Sequence, residues 1–295
     1  MKANLVWANP TSGRGRGSKI LAETLDYLDK QRVRYHVIAT SSLELALQEF
    51  REKSLSDFER LFIIGGDGLV HHALNELARK ATADTPMGVI PAGTGNDFAR
   101  TLGLDVKNPL RNIDLFLSSD PELIDLGQVN GRRFGAICST GFDSLVNERA
   151  NSMTWPRGKR KYDIAMLQEL PRFKARNYQI TIDGEVLKVQ AMLIAVGNGS
   201  SYGGGMQVCP DANIRDGLLD IMVLHPVSKF EFIRIFPKVY SGMHVTHPEV
   251  EIFRGRSVTI EGDAVTYADG ERISPTPALI SALPGALRTW MRAAK

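Results

Sequence analysis

The chain is 295 residues long, with 43% hydrophobic and 23% charged residues and a formal net charge of +3. That length accommodates two domains and a sizeable core, and the composition is ordinary for a globular protein in water. The charge is too small to argue for nucleic acid, and no apolar run approaches the roughly 20 residues needed to span a bilayer. A modest positive balance suits an anionic ligand or weak attraction to an anionic membrane surface. The opening run Met1–Trp7 reads as a strand rather than a signal peptide, because Asn9 ends it too early. Cys138 and Cys209 lie far apart without metal-like spacing, and read as two buried thiols in a reducing compartment. The expected location is therefore cytoplasmic.

Residues 1–120 alternate strand-like and helix-like segments. Leu5–Ala8 is the first expected strand and runs into Asn9-Pro10-Thr11-Ser12-Gly13; Ile20, Leu21, Leu25 and Leu28 follow at helical spacing. Arg34–Ala39 is the second strand, and the hydroxyls of Thr40-Ser41-Ser42 can cap the helix of Leu43, Ala46, Leu47 and Phe50. Leu61–Ile64 is the third. Four consecutive apolar residues suit a strand covered on both faces. It enters Gly65-Gly66-Asp67-Gly68-Leu69, and then Val70, Ala73, Leu74 and Leu77 fall on one helical face. Met87–Ile90 is the fourth, ahead of Pro91-Ala92-Gly93-Thr94-Gly95-Asn96-Asp97 and a short helix with Phe98, Ala99 and Leu102. Such alternation predicts a parallel sheet with helices on both faces, and the edge that carries these loops is where open α/β sheets bind ligands.

Near Ile124 the pattern changes. Asn130-Gly131 and Asp183-Gly184 are two-residue hairpin signals. Strands are expected at Gln179–Ile182, Ala191–Val196, Leu219–Leu224, Val250–Phe253, Ser257–Ile260 and Ala278–Ala282, with helical insertions at Ser144–Arg176 and Lys229–Tyr240. The expected architecture is an N-terminal α/β nucleotide-binding domain over 1–123, completed by 286–295, and a C-terminal antiparallel β-sandwich over 124–285.

The glycines at 65, 66 and 68 let the backbone approach a ligand closely, and the helix start behind them suits phosphate. Asp67 in such a loop makes sense with a cation between carboxylate and phosphate; the structural alternative is an ordinary capped β–α turn. Gly13-Arg14-Gly15-Arg16-Gly17-Ser18-Lys19 fits neither a P-loop nor a dinucleotide fingerprint, because Ser18 precedes Lys19 and stands where the third Gly should be. Asp216 with nearby carbonyls can hold a hard cation or close an Asp-Gly turn, and Asp269-Gly270-Glu271 reads alone as an exposed turn. His244 and His247 lack further ligands at zinc spacing, and the adjacent His71 and His72 point apart on a helix. Trp155 with Arg157, Lys159, Arg160 and Lys161 suits anionic headgroups or a solvated loop.

Taken together, the Asn-Pro-x-Ser-Gly start, the Gly-Gly-Asp-Gly loop, Pro91–Arg100, Asp125-Leu126-Gly127, Cys209–Gly217, His244–Pro248 and Asp269-Gly270-Glu271 resemble the diacylglycerol kinase catalytic-domain family, relatives of sphingosine and NAD kinases. The resemblance implies an ATP- and Mg2+-dependent lipid kinase acting on diacylglycerol or a similar lipid alcohol. It would meet the inner membrane face transiently, bind no nucleic acid and form a possible homodimer. It implies ATP contacts at Asn9, Arg14, Thr40, Gly65, Gly66, Asp67, Gly68, Leu69 and Thr94. It also implies Asp67 in the magnesium and phosphate network, Glu271 as general base, and a structural magnesium at Asp216 with the backbone oxygens of Asn213 and Leu218. Two departures stand out. Leu69 replaces the commoner Thr, which removes a hydroxyl contact, and His71-His72 replaces the usual Asn-Glu pair.

Overall fold

The computed structural model describes residues 2–40, 42–80, 85–153, 155 and 159–292, with backbone alone at 151 and 159–163. The chain divides into two compact units, Met1–Ile124 with Gly285–Lys295, and Asp125–Pro284.

The first unit runs β1 (Ala3–Ala8), α1 (Ser12–Lys30), β2 (Tyr35–Ala39), α2 (Leu43–Glu52), β3 (Phe58–Gly65), α3 (Asp67–Arg79), β4 (Met87–Pro91), α4 (Asp97–Thr101) and α5 (Arg111–Ser118). The strands pair in parallel in the order β2-β1-β3-β4, with Val6 opposite both Val37 and Phe62. Leu61, Phe62, Ile63 and Ile64 are each fully buried, as a strand covered on both faces requires. Each such side chain contributes about 1.5–3 kcal/mol by leaving water. Trp7 stacks on Phe50 at 4.4 Å between ring centroids, which seats α2 on one face of the sheet. Phe62, Phe116 and Trp290 form an aromatic row on α5, β3 and the chain's end, at 5.9 and 5.1 Å. The Trp290 indole N–H donates to the Ser119 carbonyl at 2.9 Å, so the last residues pack back on this unit. Arg51 forks onto the buried Glu76 carboxylate at 2.9 and 2.5 Å and ties α2 to α3.

The second unit contains β5 (Glu122–Val129, which starts in the first), β6 (Arg132–Phe134), β7 (Ile137–Gly141), α6 (Phe142–Ser152), α7 (Lys159–Glu169), β8 (Arg176–Ile182), β9 (Glu185–Ala191), β10 (Leu193–Gly197), β11 (Leu219–Leu224), α8 (Lys229–Ile235), β12 (Val250–Gly255), β13 (Ser257–Gly262), β14 (Val265–Ala268), β15 (Glu271–Pro275) and β16 (Ala278–Thr289). Six strands form an antiparallel sheet in the order β12-β11-β10-β7-β14-β15. Facing it are β16-β13-β8-β9 with the β5–β6 hairpin. Alternate residues of each strand meet in one core: Tyr178 and Ile180, Ile194 and Val196, Ile221 and Val223, Val258 and Ile260. That is sandwich packing, with period-two burial on both inner faces. The outer face of the six-stranded sheet is also apolar, and Phe142 and Phe232 from helices, with Leu170 and Phe173 from the turn after α7, cover it.

The hairpin signals turn as expected. Asn130 and Gly131 have φ of 46° and 81°, and Asp183 and Gly184 have 48° and 95°, the left-handed pair that suits the strand twist. Asp269-Gly270 is a third such turn, at 50° and 86°, joining β14 to β15. Elements beyond the expected set are α5, β7, β14 and β15, while β5, β6, β8 and β9 flank the two hairpin signals. The span of α1 opens on a kink, with Gly13, Arg14 and Gly15 in the left-handed region, so its regular helix starts after Gly15. The last expected strand extends to Thr289, and the helical segment after Lys229 becomes 3-10 at Phe236–Ser241.

Candidate active site

Three loops leave the same edge of the parallel sheet, after β1, β3 and β4, and they touch. Asn9 N–H donates to the Ile64 carbonyl at 2.9 Å, tying the first loop to the second's strand. Asn9 Oδ1 accepts from the Thr11 amide at 3.0 Å and the Thr11 hydroxyl at 2.8 Å, so this side chain shapes its own turn. Gly13 has φ 57°, and a Cβ there would lie 2.2 Å from the Ala92 carbonyl oxygen; the first loop closes on the third only because residue 13 is glycine. Arg14 follows at φ 64° and is exposed. The second and third loops meet at Gly66 and Gly93, where a Cβ on Gly93 would stand 2.4 Å from the Gly66 Cα. The Gly65 carbonyl accepts from the Ala92 and Gly93 amides at 2.8 and 3.2 Å.

Asp67 is the clamp of this arrangement. Its Oδ2 accepts from the Asn96 amide at 2.7 Å, and its Oδ1 from the Asp97 and Phe98 amides at 2.7 and 3.3 Å. A residue on the second loop thus meets the first amides of α4 on the third. Asn96, left-handed at φ 58°, completes the turn: its side chain accepts from Gly93 N–H at 2.9 Å and donates to the Gly93 carbonyl at 3.0 Å. Asp97 is buried, and its carboxylate comes close to that of Asp67. A methyl placed on Gly95 would lie 2.7 Å from Asp67 Oδ2 and 3.1 Å from Asp97 Oδ2. Two neighbouring carboxylates beside a phosphate-type loop fit magnesium, which takes one or two carboxylates alongside substrate phosphates.

Asp67, Gly68 and Leu69 form the first turn of α3, where backbone N–H groups have no partner within the helix and the dipole favours an anion. The Leu69 side chain is buried and lies against Gly65, 2.8 Å from where a Cβ there would stand. It therefore offers the edge its backbone alone. Thr94 is exposed, and the Thr40 hydroxyl accepts from the Ser42 amide at 3.2 Å. Asn96 and Asp97 are the site residues not singled out individually from sequence. Their signal was present, since Asn tolerates the left-handed conformation and Asp favours a helix start.

In the second unit, Glu271 opens β15 directly after the Asp269-Gly270 turn and is half-buried. Asp269 accepts from the Gly135 and Ala136 amides at 2.8 and 2.9 Å, which anchors the turn that presents Glu271. Asp216 has another partner than a metal. The Arg254 guanidinium pairs with its carboxylate and also with Asp220 at 2.9 Å, while Asp216 Oδ1 accepts from Leu218 N–H at 3.0 Å. Asn213 Oδ1 likewise accepts from the Arg215 amide at 3.1 Å. In the structure the Asp216 carboxylate thus faces a guanidinium, and the expected magnesium ligands there would be this carboxylate with the backbone oxygens of Asn213 and Leu218.

The remaining candidates have structural partners. His244 is buried against the Val208 carbonyl at 3.1 Å, and His247 faces Glu231 at 3.2 Å. Cys138 and Cys209 are buried free thiols, and burial pushes both thiol pKa values up, so neither is a ready nucleophile. Trp155 is 79% exposed; Arg157 and the side chains of Lys159, Arg160 and Lys161 lie outside the described residues.

Comparison with known proteins accounts for both units. The family described as diacylglycerol kinase catalytic domain matches residues 3–129, and the YegS C-terminal NAD kinase beta sandwich-like domain matches 136–291. A diacylglycerol kinase of Mycobacterium tuberculosis is 40% identical over 95% of this chain and 92% of its own length. One from Bacillus subtilis is 30% identical over 88% of this chain and 86% of its own. A crystal structure from Bacillus anthracis, provisionally assigned as a diacylglycerol kinase, superposes with a TM-score of 0.81 at 25% identity, covering 99% of this chain and 96% of that one.

Proposed function

The chain belongs to the diacylglycerol kinase catalytic-domain family, and from that premise we propose that it transfers the γ-phosphate of ATP to the free hydroxyl of diacylglycerol, giving phosphatidic acid and ADP. The observation that carries the reading is the three-loop edge held by Asp67. It joins helix-start amides, an exposed arginine and a carboxylate pair in one place, in a chain aligned end to end with named diacylglycerol kinases.

Phosphoryl transfer needs alignment and charge neutralisation more than covalent help. The first-turn amides of α3 and the Arg14 guanidinium meet phosphate charge, and the Asn9 turn and Gly66–Gly93 contact let the backbone come close to the nucleotide. Asp67 and Asp97 would hold magnesium, which when bound neutralises charge on the phosphates. An alcohol is a weak nucleophile at neutral pH, so its proton must go to a base as the oxygen forms its bond to phosphorus and the β–γ bridging bond breaks. Glu271 takes that proton in this reading. Among the described residues no helix is long and apolar enough to cross a membrane.

Glu271→Gln should lower turnover about a hundredfold or more while leaving ATP binding intact, measured by single-turnover kinetics and nucleotide titration. Near-normal turnover would remove Glu271 from the mechanism.

A further inference from the structure

A kinase whose acceptor is dissolved in a bilayer needs a face that seats on that bilayer. One segment of the second unit has the composition for it. The helix α8 is capped by the Ser228 hydroxyl, which accepts from the Glu231 amide at 3.2 Å. It turns Phe232 and Ile235 inward, 6% and 5% exposed, while Phe230 and Ile233 on the opposite side are 69% and 54% exposed. The chain continues through 3-10 turns at Phe236–Ser241 and Met243–Thr246, which add Tyr240 at 50% and Met243 at 54%. Rings tie the segment together: Phe232 stacks on Phe236 at 6.1 Å, and Phe236 meets Tyr240 edge-on at 6.3 Å.

Between Ser228 and His247 the segment carries three lysine or arginine side chains and one acid, Glu231. Lys229, Arg234 and Lys238 are exposed; the Lys229 ammonium donates to the Pro171 carbonyl, and the Arg234 guanidinium lies 5.2 Å from the Phe230 ring centroid. The acid within the helix, Glu231, turns to His247, and Glu251 on β12 turns to His225 at 2.8 Å. Apolar and aromatic tips among cations match the boundary of an anionic bilayer, where rings enter the headgroup layer and basic residues meet lipid phosphates. A second copy of this chain fits less well, because the three cations of the patch outnumber its one acid, so pairing the patch with itself leaves like charges facing.

We infer that α8 and the 3-10 turns after it, which expose Phe230, Ile233, Tyr240 and Met243 in a segment that also carries Lys229, Arg234 and Lys238, are the surface that docks the protein on anionic membranes. The inference rests on the lipid-kinase reading for its purpose, but its test does not depend on turnover. The full chain is floated with vesicles of phosphatidylcholine plus phosphatidylglycerol, and with phosphatidylcholine alone. Binding should require phosphatidylglycerol and weaken as salt rises. The double variant Phe230→Ser/Ile233→Ser should bind at least about tenfold more weakly. Arg234→Gln/Lys238→Gln should lose about fivefold per charge, and it serves should the first variant fold poorly. Both variants should phosphorylate a short-chain, water-dispersed diacylglycerol as the parent does. Vesicle binding unchanged in both variants overturns the inference. So does a parent that ignores vesicles and instead forms a dimer that these substitutions dissociate, or that binds an acidic protein through this face. Absence of turnover on the short-chain lipid in the parent overturns the kinase reading and leaves the vesicle result to stand alone.

Discussion

At the scale of single residues the account turns on Asp67. A carboxylate in a phosphate-type loop invites the thought of a metal, but the oxygens of this one are engaged first by protein, accepting the amides of Asn96, Asp97 and Phe98. It fixes the third loop against the second, and in the proposed reading it would also hold magnesium together with Asp97. Asp67→Asn preserves size but turns an N–H2 toward backbone N–H groups, setting donor against donor. Hydrogen bonds to a charged acceptor are worth about 1.5–3 kcal/mol. The variant should therefore lose about 2 kcal/mol of stability in denaturant titration and raise the KM for ATP together. A raised KM with unchanged stability would show that Asp67 serves the nucleotide alone.

At the scale of elements, the turn before β11 is held by an internal cation. Arg254 on β12 bridges Asp216 and the buried Asp220, closing the loop onto the sheet edge. The thermal midpoint of the protein without nucleotide should then be the same in magnesium and in a chelator. Arg254→Met should cost about 2 kcal/mol, the loss of charged hydrogen bonds on a half-exposed arginine, and should make the midpoint magnesium-sensitive. A midpoint that already follows magnesium in the parent would contradict this. The elements differ in how well they could be read from sequence. β3 and β11 announce themselves by continuous apolar runs, and the Asn130-Gly131 and Asp183-Gly184 turns by their dipeptides. Asp269-Gly270 makes the same turn, but its flanks, Tyr267-Ala268 and Glu271-Arg272, lack a clean alternation, so it reads as a surface turn. β7 was hidden because Cys138, Ser139 and Thr140 are small and weakly patterned, and their burial comes from strands distant in sequence. The three ligand loops were legible because glycine spacing reflects backbone needs. The clamp between them was not, since a bond from residue 67 to residues 96–98 is a tertiary fact.

At the scale of the whole molecule, stability should carry the signature of one buried acid. Asp143, at the start of α6, accepts from the Ser144 amide at 2.8 Å, and burial is the main cause that raises its pKa to about 6. A carboxyl whose folded pKa exceeds its unfolded value binds its proton more tightly when folded. Its contribution is complete below the unfolded value near 4 and fades as pH rises through 6. Between those limits the parent should lose about 3 kcal/mol relative to Asp143→Asn, read as the difference between their unfolding free energies across pH. Parallel profiles would mean that Asp143 is not protonated preferentially in the folded state.

The central claim concerns the acceptor. The full chain incubated with magnesium and γ-labelled ATP, in the presence of a dispersed lipid mixture containing diacylglycerol and, separately, of NAD, should place label in phosphatidic acid, leave NAD unlabelled, and fail to label lipid when Glu271 is replaced by Gln. Label on NAD, or on a different lipid with diacylglycerol untouched, would contradict the account.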